Sequence, residues 1–130
     1  MIQWNDSFLT GNPKVDADHQ RLFAYVNELE KALKDGVSFE KLTSIVEFMG
    51  RYAKAHFISE EAIMLRAKCP AHEENRSAHE AFNSRVRDWF YRLNEGGSNE
   101  LVIEIYQETS KWLVEHIVKV DCQLRGCHIP

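Results

Sequence analysis

Glu60 is the residue that most constrains this chain, because it lies on an apolar stripe. After Ser38, a natural helix cap, Leu42, Ile45, Val46, Met49 and Ala53 recur at the spacing of one helical face, and the helix is expected to reach about Ala67. Continued by three and four residues, the same face passes through His56, Glu60, Ile63 and Met64. His56 and Glu60 are four residues apart, so an imidazole and a carboxylate stand one turn apart on one side. On a surface such a pair is common and weak. Turned toward a core, an ionised carboxylate is expensive to bury and must be paired, protonated or bound to a metal. The adjacent Glu61 projects elsewhere and is expected to be solvated.

Three further helices follow from the same periodicity. The first is capped by Asp16 or Asp18, ends near Asp35-Gly36, and carries Leu22, Val26, Leu29 and Leu33; one turn back, that stripe meets His19. Cys69-Pro70 breaks the second helix, with Pro70 placed for the first turn of the third. The inner face there reads His72, Asn75, His79, Phe82, Val86, Trp89 and Leu93, polar at its start and apolar toward Asn94. After the Asn94-Glu95-Gly96-Gly97 turn, Ser98 caps a fourth helix whose stripe is Val102, Ile105, Thr109, Trp112 or Leu113, His116 and Val120. Asp121 follows His116 by five residues, about 140° around a helix. It therefore sits at the edge of the inner face and must reach inward, or the helix must loosen there.

The expected fold is all-α, an antiparallel up-down-up-down four-helix bundle with an irregular N-terminal arm over residues 1–15, anchored by Trp4 and Phe8. One domain over residues 1–130 is expected. In such a bundle the starts of helices one and three lie beside the ends of two and four. His19, His56, Glu60, His79, His116 and Asp121 then share one end of the core.

The totals narrow the function. With 16 basic and 20 acidic residues the formal charge is −4, which argues against a nucleic-acid partner. The start is not a signal peptide, and no apolar run approaches the roughly 20 residues of a membrane span, so no membrane insertion is expected. Cys69, Cys122 and Cys127 are odd in number and lack metal-type spacing. They argue for a reducing cytosol, hence a cytoplasmic protein, and against a disulfide framework. His128, in the unpatterned tail, is expected to be exposed and without a role.

Four histidines and two carboxylates exceed what one metal takes. Zinc is satisfied by about four ligands, and calcium and magnesium prefer oxygen. Mixed imidazole and carboxylate suit iron or manganese, with the two carboxylates bridging two ions. The dinuclear carboxylate oxidases carry Glu-x-x-His pairs and more glutamates than histidines; here the order is His-x-x-x-Glu and histidine dominates. That nitrogen-rich shell favours reversible dioxygen binding over strong oxidation.

Over nearly its whole length the chain resembles the bacterial hemerythrins. The likeness rests on Trp4 with Gly11, Val15-Asp16-x-x-His19-x-x-Leu22-Phe23, His56-Phe57-x-x-Glu60-Glu61, Met64, Pro70 followed by His79-x-x-Phe82, and His116-Ile117-x-x-x-Asp121. The resemblance implies two iron ions with an oxo or hydroxo bridge. His19 and His56 would hold the iron that takes dioxygen, His79 and His116 the second, and Glu60 and Asp121 would bridge. It implies reversible dioxygen binding for storage, transport or delivery rather than catalysis; the chain is expected to be a monomer and not an enzyme. Leu22, Trp112, Leu113 and Ile117 are placed for a dry dioxygen pocket, or simply pack the core. A di-iron peroxidase, a nitric-oxide-handling enzyme, or an oxygen or iron sensor is the alternative.

One position departs from the family pattern. Asn75 stands where an additional histidine ligand is expected, four residues before His79. His72 is two turns from His79, about 10.5 Å along the axis, and its side chain leans away from the site. An amide oxygen ligand, a water or a vacant position at Asn75 are the expected outcomes.

Overall fold

Pro13 and Asn12 set where the first helix begins. Proline is pre-organised for a first helical position, and the Asn12 side chain accepts hydrogen bonds from the Lys14 and Val15 amides. The computed structural model, which describes residues 1–127, therefore has a shorter arm than the sequence pattern suggested, and Asp16 and Asp18 are not the caps. Helix α1 runs Pro13–Asp35 and stops at Gly36, whose left-handed φ of 68° suits a residue without a Cβ. Helix α2 spans Phe39–Arg66 and helix α4 spans Asn99–Lys119, capped as expected by Ser38 and Ser98. Helix α3 covers His72–Asn94. Its start differs from expectation. Pro70 lies ahead of the helix, because the His72 amide closes a turn onto the Cys69 carbonyl.

The helices pack in the up-down-up-down order, α1 against α2 and α4, and α3 against α2 and α4. The apolar stripes form one core through Val26 and Leu29 of α1, Leu42 and Val46 of α2, Phe82 and Trp89 of α3, and Val102 and Ile105 of α4. No described helix is long and apolar enough to cross a membrane.

The arm and the C-terminal segment close the other end of the bundle. Trp4, Phe8 and Phe23 form an aromatic cluster with centroids 5.2–5.4 Å apart. The Thr10 amide and hydroxyl both donate to Asp16 Oδ1 at 2.8 Å, so Asp16 tethers the arm rather than capping the helix. Helix α4 ends at Lys119, and a 3₁₀ turn over Asp121–Gly126 doubles back, where Arg125 donates to the carbonyls of Ser7 and Leu9. Beneath it, Val15, Ile63, Met64, Cys69, Ala71 and Leu124 make a second apolar cluster. His128 lies outside the described residues.

Cys69, in the turn before α3, is disulfide-bonded to Cys127, with their Cα atoms 5.4 Å apart. This corrects the expectation of unpaired cysteines, and the cysteine count no longer argues for a reducing compartment. The partners are 58 residues apart, so local spacing gives no sign of the pair. Only Cys122 is free among the described residues. Cys127→Ser, or reduction of the bond, is expected to lower the unfolding free energy by up to about 4 kcal/mol, the loop-closure value for 58 residues. Denaturant titrations with and without dithiothreitol measure it.

Candidate metal centre

Four helix ends and the 3₁₀ turn bring His19, His56, Glu60, His79, His116 and Asp121 into one buried cluster. Glu60 is completely enclosed, and its two oxygens face opposite ways. Oε2 lies 3.0 Å from both His19 Nε2 and His56 Nε2; Oε1 lies 3.3 Å from His79 Nε2. Asp121 repeats the pattern, with Oδ2 3.1 Å from His19 Nε2 and Oδ1 3.2 Å from His116 Nε2. Each carboxylate thus offers one oxygen to a group around His19 and His56 and one to a group around His79 and His116. Within each of two sets, His19–His56–Glu60 and Glu60–His79–His116–Asp121, the ligand-type atoms lie within 4.8 Å of one another. Asp121 reaches inward because α4 ends at Lys119 and the chain passes through Val120 into the tighter 3₁₀ turn. Of the two routes open to a residue five positions after His116, reaching in from the edge or a loosened helix, the structure takes the second.

The imidazoles are oriented by residues the sequence pattern did not single out. His56 Nδ1 lies 2.9 Å from Asp18 Oδ2, and His79 Nδ1 lies 2.9 Å from Glu61 Oε2. Both carboxylates are acceptors, so Nδ1 carries the proton and Nε2 is aimed inward. Glu61 is therefore not the freely solvated residue expected. Asp18 also accepts from the Tyr52 hydroxyl at 2.9 Å and from Lys14 Nζ at 2.6 Å. Burial pushes its carboxyl up, but the Lys14, His56 and Tyr52 hydrogen bonds hold it below its ordinary value. Phe57 stacks on His79 at 3.9 Å and Trp112 on His116 at 4.4 Å, fixing those rings. Tyr52 stands one turn before His56, a spacing that could have marked it. The Asp18–His56 pairing depends on how α1 crosses α2, which no local pattern carries.

The donor set fits two cations better than none. With Nδ1 protonated, a neutral His56 or His79 turns a lone pair toward a Glu60 oxygen, and His79 Nε2 also lies 3.2 Å from His116 Nε2. Asp121 Oδ1 is buried without a hydrogen bond; its 3.2 Å approach to His116 Nε2 is misaligned. Lone pairs facing one another need second ring protons or a cation between them. Separations of 3.0–3.3 Å match neighbouring ligands around an ion with bonds of about 2.1 Å.

Asn75 lies inside the cluster and is fully buried. Its Nδ2 donates to Glu60 Oε1 at 2.7 Å and approaches Met64 Sδ at 3.3 Å; its Oδ1 lies 2.8 Å from His116 Nε2. His72 is outside, beside Glu73 at 3.7 Å. Of the apolar residues considered for a pocket, Leu22, Trp112 and Leu113 line a wholly apolar cavity of about 30 Å³ together with Phe57, Phe82 and Thr109. Ile117 is fully buried but does not line it.

Without metal the cluster holds protons. Burial pushes the His19 imidazole down, but hydrogen bonds and charge from Asp121 and Glu60 raise it from 6.5 to about 9. His79 is likewise raised, against burial, by Glu60 and Glu61. Burial opposes ionisation of Glu60, yet the surrounding histidines hold it well below its ordinary value. A raised histidine contributes stability that is complete below pH 6.5 and lost as pH rises through about 9. Glu60 contributes stability above its unfolded value of 4.5 that is lost as pH falls. Metal-free protein is therefore expected to lose stability between pH 6.5 and about 9, on the order of 3 kcal/mol from His19. Metal-loaded protein is expected to change less, because metal takes the deprotonated ring. Thermal melts of both forms across that range check the difference.

Comparison with known proteins agrees with this geometry. Residues 10–124 match the family model described as the hemerythrin HHE cation binding domain. The chain is 28% identical to a bacteriohemerythrin of Pseudomonas aeruginosa over 92% of its own length and 76% of that protein's. It is 24% identical to a bacteriohemerythrin of Clostridium acetobutylicum, covering 93% of this chain and 96% of the relative. A myohemerythrin of Sipunculus nudus is 27% identical over 95% and 90% of the two chains. With its buried histidine and carboxylate cluster carried on four helices, this chain belongs to the hemerythrin HHE cation binding domain family.

Proposed function

We propose that the chain, acting as one hemerythrin-like domain, binds two iron ions with an oxo or hydroxo bridge and takes up dioxygen reversibly, without catalytic turnover. The observation that carries the reading is the two-sided placement of Glu60 and Asp121, each with one oxygen toward either histidine pair. In this reading His19 and His56 hold the first ion, His79 and His116 the second, and the two carboxylates join them. A mixed imidazole and carboxylate shell suits iron. When bound in the ferrous state, the pair supplies the two electrons that dioxygen takes up and recovers them on its release.

The chain's own residues support that exchange in three ways. Asp18 and Glu61 hold His56 and His79 with Nε2 inward, which keeps both rings available as ligands. Leu22, Trp112 and Leu113 border apolar space in the core, separated from the cluster by the Phe57 and Trp112 rings that stack on His79 and His116; that space admits an apolar diatomic and disfavours water. Ile117, buried on the inner face of α4 one residue after His116, adds to the water-excluding wall. Reduced, iron-loaded protein is expected to contain about two irons per chain and to develop in air a visible absorption that disappears on deoxygenation and returns. Absence of bound iron after growth in iron-rich medium would defeat the proposal.

Asn75 makes the two ions unequal. An amide is a weaker ligand than imidazole, and here it is engaged with Glu60 and His116. A chelator is expected to remove iron in two phases, the faster from the His79 and His116 side. Asn75→His is expected to slow that phase roughly tenfold; equal rates in the two proteins would sink the assignment. The same residue favours a second reading, peroxide or nitric-oxide chemistry at a more open ion. Irreversible conversion in air accompanied by peroxide turnover would select it.

A further inference from the structure

The outer face of α2 is unlike the other solvent-facing surfaces of the bundle. Phe48, Arg51, Ala55, Ile58, Ala62 and Leu65 follow one another at alternating intervals of three and four residues, and all are exposed. Phe48, Ile58 and Leu65 are 61%, 65% and 62% exposed. Among the described residues no other helix exposes three large apolar side chains. The outer face of α3, by contrast, carries Glu73, Glu74, Arg76, Glu80, Arg87 and Asp88. The α2 row runs from Phe48 to Leu65, 17 residue steps or about 26 Å at 1.5 Å per residue. Its spacing is that of a seam between two helices lying side by side, and it plays no part in the bundle's own core.

Charge indicates what covers the seam. On the flank toward α3 stand Glu47, Lys54 and Glu61, seven residues apart and alternating in sign, with Lys68 just past the helix end. Place a second copy of α2 antiparallel, related by a two-fold axis between Ala55 and Ile58. Lys54 then comes beside Glu61 of the second copy, and Glu61 beside that copy's Lys54. Glu47 faces the level of the second copy's Arg66 and Lys68. Helical side chains lean toward the N-terminus, which brings the Lys54–Glu61 pairs closer together. The same register sets large against small at the centre, Ile58 against Ala55 and Arg51 against Ala62, with Arg51 laying its stem along the seam and its charge beyond it, and brings Phe48 against Leu65 at each end. A parallel pairing brings Lys54 beside Ser59 and loses the central ion pairs. Two-fold antiparallel contact is also the closed, isologous arrangement that limits assembly to a dimer.

We propose that two copies of this chain pair through the outer faces of their α2 helices, antiparallel, with reciprocal Lys54–Glu61 contacts. This differs from the monomer expected from the sequence. One helix pair is a small interface, so the dissociation constant is expected to be near 10 μM, roughly. The pairing does not depend on what the cluster binds, since it uses none of the six converging residues. It does touch Glu61, the hydrogen-bond partner of His79.

Sedimentation velocity of the full chain from about 1 to about 500 μM tests the pairing. The expected result is a monomer–dimer equilibrium that Ile58→Glu weakens at least tenfold, with circular dichroism and melting unchanged because Ile58 does not enter the core. Lys54→Glu, on the exposed flank, is expected to weaken it by a similar factor by placing like charges together. A chain that stays monomeric throughout overturns the proposal, as does a dimer indifferent to Ile58→Glu. A dimer lost with Ile58→Glu but unaffected by Lys54→Glu overturns the antiparallel register.

Discussion

Two carboxylates are buried where water cannot reach them, and the architecture follows from what they need. Glu60 and Asp121 are both closed off from solvent. An ionised group so placed is stable only when each oxygen has a positive or proton-donating neighbour. Four imidazoles from four helices surround those oxygens and supply such neighbours once they carry second ring protons or share cations with them, and none reaches its place unless its helix ends at the right height. The alternation of helix direction puts the starts of α1 and α3 beside the ends of α2 and α4. The break after Lys119 then lets Asp121 turn in from a position a continuous helix would have directed aside.

The remainder of the molecule divides along the bundle axis. One end is a conventional apolar core, where Leu29, Leu42, Val102 and Ile105 are fully enclosed. The other end is polar inside and must be sealed from outside. The arm, the Thr10–Asp16 tether, the C-terminal 3₁₀ turn with Arg125, and the Cys69–Cys127 bond all gather there. They close the end of the bundle that its helices alone leave open. Where the two regions meet, Phe57 and Trp112 stack on the imidazoles and border the apolar cavity. These aromatic rings form the boundary between the ionic cluster and the dry core.

The cluster itself is not symmetric. On the His19 and His56 side, Glu60 Oε2 is shared by two imidazoles. On the His79 and His116 side, Oε1 is shared by an imidazole and the Asn75 amide. An amide can donate and accept at once, so Asn75 links Glu60 to His116 as a hydrogen-bonding spacer. An imidazole there could serve Glu60 or His116 but not both through one nitrogen. The difference lies in one side chain, yet it reaches both a shared carboxylate and a ring of the cluster.

The four helices, their inner faces and five of the six converging residues were legible in the amino-acid order, because helical periodicity is local: side chains three and four apart share a face whatever the rest of the chain does; Asp121, five residues after His116, lies off that spacing. Ser38 and Ser98 were legible as caps for the same reason. The start of α1 was not, since Asn12 and Asp16 are both good capping residues and only the tertiary tether to Thr10 commits Asp16 elsewhere. Glu61 could not be placed from its position beside Glu60, because the nitrogen it meets belongs to α3. Asp18 likewise meets its imidazole only through the crossing of α1 and α2, and Cys69 finds Cys127 only because both segments close the same end. Sequence by itself determined which groups could converge, through short-range periodicity. Tertiary structure decided which atoms face one another, because those contacts depend on the relative placement of helices far apart in the chain.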